Sequence, residues 1–154
     1  MTATVKDGRQ ILIGRRPLLK ARGFVWNLAW GVDGSLAVNV NGRRVDRYES
    51  DRLVGAMILP PSARNRPIDF APDNCAALAA EVDVVRLIDL GCFRGRPSLA
   101  FEGADAAWSP DGEWIAVAEP DAIVFHRVVG REVTVRWDVA ATQLAWLSGD
   151  GREG

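Results

Sequence analysis

The 154-residue sequence predicts an all-β array of about four four-stranded antiparallel sheets. Three observations predict it. Four segments align on an aromatic residue: "NLAWGVDGSLAVNV" from Asn27, "PIDFAPDNCAALAA" from Pro67, "DAAWSPDGEWIAVA" from Asp105 and "QLAWLSGDG" from Gln143. The aromatics themselves, Trp30, Phe70, Trp108 and Trp146, stand 40, 38 and 38 residues apart. The first three are followed by turn residues and then by an apolar run rich in strand formers. A near-constant spacing of this kind marks a repeat.

Each unit builds from its anchor outwards. The first strand ends on the anchor. In the third unit Ser109-Pro110-Asp111-Gly112 then reverses the chain, with Pro presetting its backbone angle and Gly taking the left-handed conformation. The second strand is the apolar run: "SLAVNV" at 35–40, "CAALAA" at 75–80 and "WIAVA" at 114–118. A second turn follows at Asn41-Gly42, a strong hairpin signal, at Val82-Asp83, a weak one, and at Pro120-Asp121. The third strand is "RRVDRYE", "VVRLIDL" or "AIVFHRV", partly alternating as a half-exposed strand does. A less regular fourth strand lies around "GAMIL", "PSLAF" and "EVTVRWDV".

Four strands per unit of this length make the blade of a β-propeller. One twisted sheet cannot cover both of its faces, whereas a neighbour on each side can. The anchors would fill the wedges between blades, and small Ala29, Ala107 and Ala145 suit crowded inner strands. Residues 1–23 read as a blade without its first strand: "TATV", the turn Asp7-Gly8, "RQILIG" and "PLLKA". The segment 142–151 supplies that first strand. The blades are therefore 1–23 plus 142–151, 24–62, 63–102 and 103–141. Pairing the last strand with the first segment would close a four-bladed ring within one chain. Between two chains it would make a homodimer whose larger ring each chain half fills. An excised piece of a longer propeller is the third option.

At "WSPDGEWIAVAE", residues 108–119, the chain resembles the propeller repeats of the TolB-like family, and more broadly the WD-repeat group. "AWGVDG" and "FAPDN" are degraded copies of the motif. No third strand ends in Trp-Asp; the one such dipeptide, in "RWDV" at 136–139, falls in the fourth strand. The resemblance covers about 140 residues and implies a bacterial accessory, sensor or peptidase-associated propeller. It implies a fold more than a task, since such a fold hosts many functions.

Composition narrows the partners. A net charge of −1 offers no basic field for nucleic acid. No stretch approaches the roughly 18–20 apolar residues of a membrane span, and "MTATVKDGRQ" has no apolar signal core. Of the 19 basic residues only Lys6 and Lys20 are lysine, which reads as the footprint of a GC-rich genome.

No catalytic constellation, cofactor or metal site is expected. The only histidine, His126, has no Gly-x-Ser-x-Gly elbow to accompany it. Asp33, Asp73, Asp111 and Asp150 are explained by turn chemistry, because Asp bonds its own backbone there. If Val82-Asp83 centres its hairpin, paired residues sum to about 165, so Cys75 faces Leu90 and Cys92 lies diagonally, on the same side. Such neighbours are about 7–8 Å apart, slightly beyond disulfide reach. A bulge would bring them together, so a disulfide and two reduced thiols both stay open. A disulfide favours an oxidising compartment, and a periplasmic or extracellular location is slightly preferred.

The expected ligand site is the channel mouth, where Asn27, Asp105 and Gln143 precede their anchors by three residues and Asp69 replaces an alanine. Function then divides three ways. The first is a non-enzymatic module binding a protein or small ligand. The second is a ligand-sensing or carbohydrate-binding envelope ectodomain, with aromatics such as Trp26 or Trp137 exposed in loops. The third is a propeller accessory to a hydrolase domain outside this chain.

Overall fold

The computed structural model describes residues 2–90 and 99–146. They form one three-stranded and three four-stranded antiparallel sheets, each made of consecutive strands. The first contains β1 (Ala3–Lys6), β2 (Gln10–Ile13) and β3 (Arg16–Lys20). The second contains β4 (Val25–Trp30), β5 (Leu36–Val40), β6 (Arg44–Glu49) and β7 (Arg52–Ile58). A single 3₁₀ turn, Pro61–Ala63, leads to β8 (Asp69–Phe70), β9 (Ala76–Glu81), β10 (Val84–Asp89) and β11 (Leu99–Glu102). The last sheet is β12 (Asp105–Trp108), β13 (Trp114–Ala118), β14 (Ile123–Arg127) and β15 (Thr134–Trp137).

The anchors sit at matching points. Trp30, Phe70 and Trp108 each end the first strand of a sheet, opposite Leu36, Ala77 and Ile115 of the second. The turn that follows is built alike three times. Asp33, Asp73 and Asp111 each accept the backbone N–H two residues on, from Ser35, Cys75 and Glu113, at 2.9 Å. The residue after each Asp, Gly34, Asn74 or Gly112, has positive φ. This is the left-handed position that glycine or asparagine tolerates best.

The hairpins between second and third strands also follow the sequence. Asn41 and Gly42 both have positive φ, as do Asp7 and Gly8. Leu87 pairs with Leu78, and the Leu90 N–H donates to the Cys75 carbonyl at 3.0 Å, the register expected from the 165 sum.

Three cores lie between successive sheets. Ile11, Ala21, Leu36, Val38 and Tyr48 pack the first against the second, with Trp30 at their margin. Phe70, Ala37, Val45, Leu59 and Ile88 pack the second against the third. Trp108, Leu78, Leu87, Ile115 and Val117 pack the third against the fourth. Every residue of β5 is buried because both of its faces are covered. Every residue of β15 is exposed, as befits an outermost strand.

The first sheet lacks its expected inner strand among the described residues. Residues 142–146 form no strand, and β1 has only β2 beside it among the described residues. The sheets make an arc, and the ring is incomplete. No helix is long and apolar enough to cross a membrane among the described residues.

Candidate functional site

The inner strands β4, β8 and β12 run along the inside of the arc and wall a groove of about 660 Å³. Small Ala29, Ala106, Ala107 and Ala145 form much of its floor, leaving room between Phe70, Trp108 and Trp146. Alanine on an inner strand thus does two things: it lets the sheets converge, and it keeps the groove open.

Two of the four expected site residues line this groove, Asp69 on β8 and Asp105 on β12. The carboxyl of Asp69 is held above the usual carboxylate range, first by partial enclosure between the sheets and then by the negative charge of Asp105. Its edge nonetheless reaches solvent, so water still solvates it in part. Asp105 accepts the backbone N–H of Leu144 at 2.9 Å, fixing the 142–146 segment over the end of β12. Gln143 is exposed and lines an adjoining hollow with Asp105 and Thr142.

Asn27 is used differently. Its amide brackets the backbone of Ile68, donating to the carbonyl at 2.6 Å and accepting the N–H at 3.3 Å. Asn39, fully buried on β5, donates to Asn27 Oδ1 and to the Arg66 carbonyl. The pair ties the second sheet to the chain entering the third, and Asn27 does not line the groove.

Other polar contacts cross between sheets at the turns. Asn74 Nδ2 donates to the Ala29 carbonyl at 3.1 Å, and the Val32 N–H donates to the Pro72 carbonyl at 2.8 Å. Trp108 Nε1 donates to the Asp69 carbonyl at 3.0 Å. The groove walls are therefore cross-linked by directional bonds as well as by apolar contact.

Sequence reasoning missed one charged cluster. Asp46, in the middle of β6 and fully buried, accepts Arg22 Nε at 3.0 Å and Nη2 at 2.7 Å, with Arg44 at 3.2 Å. Its signal was faint, because β6 carries two arginines and a glutamate beside Asp46 and reads as half-exposed. Arg47 likewise reaches Asp33 at 3.6 Å and the Asp73 carbonyl at 3.4 Å. Part of the arginine excess therefore has structural work, whatever the genome's composition.

His126 packs on Phe101 with ring centroids 4.5 Å apart, and burial keeps its imidazole below its ordinary pKa. Trp26 and Trp137 are exposed, but on strands β4 and β15 rather than in loops. Cys75 is buried at the start of the third sheet's apolar run. Cys92 lies outside the described residues, as do 147–151 of the last predicted blade segment.

No protein-family model matches the chain, and no curated protein matches it. Solved structures do. The C-terminal WD40 domain of Sif2 superposes with a TM-score of 0.50 at 14% identity, covering 81% of this chain and 39% of that one. The chain has a WD-repeat-like propeller fold. The β-propeller domain of Cps50 (Swd1) from Myceliophteria thermophila superposes with a TM-score of 0.47 at 12% identity, covering 75% of this chain and 43% of that one. The chain thus spans about two fifths of the propellers it matches.

Proposed function

We propose that this propeller is a non-enzymatic interaction module whose inner groove receives a segment of a partner protein. The observation that carries this is the groove itself: an open trough with aromatic walls, where Asp69 and Asp105 present carboxylates side by side. A solvent-open groove suits a segment of a partner protein better than a small molecule, which binds in a more enclosed cavity. Two neighbouring carboxylates favour a lysine or arginine side chain, which would also relieve the repulsion that, after burial, raises the Asp69 pKa. A second copy completing the ring belongs to the same reading, as does kinship with TolB-like repeats through the turn at Ser109–Gly112.

Selection from a displayed random-peptide library tests the reading. Enriched peptides should carry Arg or Lys, and Asp69→Asn with Asp105→Asn should weaken their binding about tenfold or more. Failure to enrich basic peptides, or binding indifferent to both substitutions, would sink it. An envelope ectodomain is the second reading, favoured by the exposure of Trp26 and Trp137. Non-reducing mass analysis separates the two, since a Cys75–Cys92 bond belongs with the oxidising compartment.

A further inference from the structure

The first sheet lacks what the other three possess. In those, an inner strand ending on an aromatic pairs with the second strand; in the first, the counterpart of that second strand, β1, pairs with β2 alone among the described residues. Its other edge has no ladder partner, and such an edge is a template for an added strand.

Trp30 shows the same lack from the other side. Trp108 Nε1 donates to the carbonyl of Asp69, the residue just before the anchor Phe70 of the preceding sheet. Trp30 holds the equivalent position in the second sheet, yet its buried Nε1 has no acceptor among the described residues. The preceding sheet here is the three-stranded one, which has no inner strand to offer a carbonyl. A buried N–H is rarely left unpaired in a finished structure.

A strand of the right sequence exists in the chain. "QLAW" at 143–146 repeats "NLAW" at 27–30. It already lies against the last sheet as the next inner strand should. The Trp146 ring stands edge-on to Phe125 with centroids 5.7 Å apart, and the Leu144 N–H is held by Asp105. Both halves of the pairing are thus present in one chain, but they do not meet in it. The four sheets match only 39% of the Sif2 domain's length, so their arc follows a ring larger than four blades.

We infer that β1 takes residues 143–146 of a second copy as its inner strand, and gives its own to that copy in return. The inference rests on the reading that a second copy completes the ring, and adds the pairing and its register. Turns fix the register. Asp7-Gly8-Arg9 matches Asn41-Gly42-Arg43, with Lys6 paired to Gln10 as Val40 is to Arg44. Lys6 therefore corresponds to Val40, and Ala3 to Ala37. Since Ala37 pairs with Ala29, Ala3 pairs with Ala145 of the second copy. The carbonyl of that residue is the acceptor for Trp30 Nε1, as Asp69 is for Trp108.

The full chain carrying Ala3→Cys and Ala145→Cys tests this, with light scattering beside non-reducing electrophoresis. The expected result is a particle of twice the 16.8 kDa chain mass, covalently linked between chains only when both cysteines are present. A dimer that does not cross-link overturns the pairing but leaves the homodimer standing. A monomer linked within itself, or an unlinked monomer, overturns both. Trp30→Phe adds a second readout. It should fold as the wild type does and weaken the dimer roughly five- to hundredfold, the worth of the two neutral hydrogen bonds that the exchange forms. Trp108→Phe should leave dimerisation unchanged, and a Trp30→Phe dimer of wild-type strength would overturn the acceptor assignment.

Discussion

Aspartate does opposite things at two kinds of position in this chain. In the turns, Asp33 and Asp111 accept the hydroxyl hydrogens of Ser35 and Ser109 and then a backbone N–H, and both carboxyls are held below the usual range. A folded-state value below the unfolded one gives stability that is complete above the unfolded pKa. It is lost as pH falls through the lowered value. In the groove, Asp69 is raised, so its ionised form opposes folding at neutral pH and ceases to do so in acid. Asp111→Ala should therefore cost about 1 kcal/mol at pH 7 and flatten the acid limb of a urea-midpoint profile. Asp69→Asn should instead stabilise slightly at pH 7 and lose that advantage as pH falls. A shared sign for the two would contradict these assignments. The turn aspartates were legible in the sequence because their bonds are local. Asp69 was legible only as an odd polar residue, since its electrostatics arise from burial between the sheets and then from Asp105, 36 positions away.

Strands were legible in proportion to their burial. β5, β9 and β13 read as mainly apolar runs because sheets cover both of their faces, and β13 coincides with the predicted 114–118. The outer strand β7 begins at Arg52, ahead of the "GAMIL" that marked it, because an exposed edge imposes no pattern on its residues. Residues 142–146 carry a strand's sequence and lack a strand's partner, so the pattern alone did not decide their structure. Polar residues inside buried strands were visible but unassigned: Asn27 and Asn39 turned out to brace two sheets, and Asp46 to hold two arginines. Asp46 makes a direct test at this scale. Both its oxygens are engaged and it is fully buried, so Asp46→Asn removes the charge that satisfies Arg22 and Arg44. The arginines are partly exposed and can turn to water, so the expected loss is about 1.5 kcal/mol by denaturant unfolding. A loss within the scatter of ordinary surface substitutions would mean that the cluster is ornamental.

Stacked sheets that touch only their neighbours should behave as a one-dimensional array, with stability summed over the interfaces. The three cores here share no residue: Ile11 belongs to the first, Phe70 to the second and Ile115 to the third. Ile11→Val and Ile115→Val each remove one methylene from a fully buried site and should each cost about 1 kcal/mol. Because two sheets separate them, the double variant should lose the sum of the two, within about 0.5 kcal/mol. Leu87→Ala and Ile115→Val sit in the same core, and there the second change falls into space the first has loosened. Their double variant should depart from the sum by more than that margin. Urea denaturation of the three single and two double variants decides the matter. Coupling between Ile11 and Ile115 as strong as that between Leu87 and Ile115 would mean one continuous core, and would contradict a row of sheets held by separate wedges.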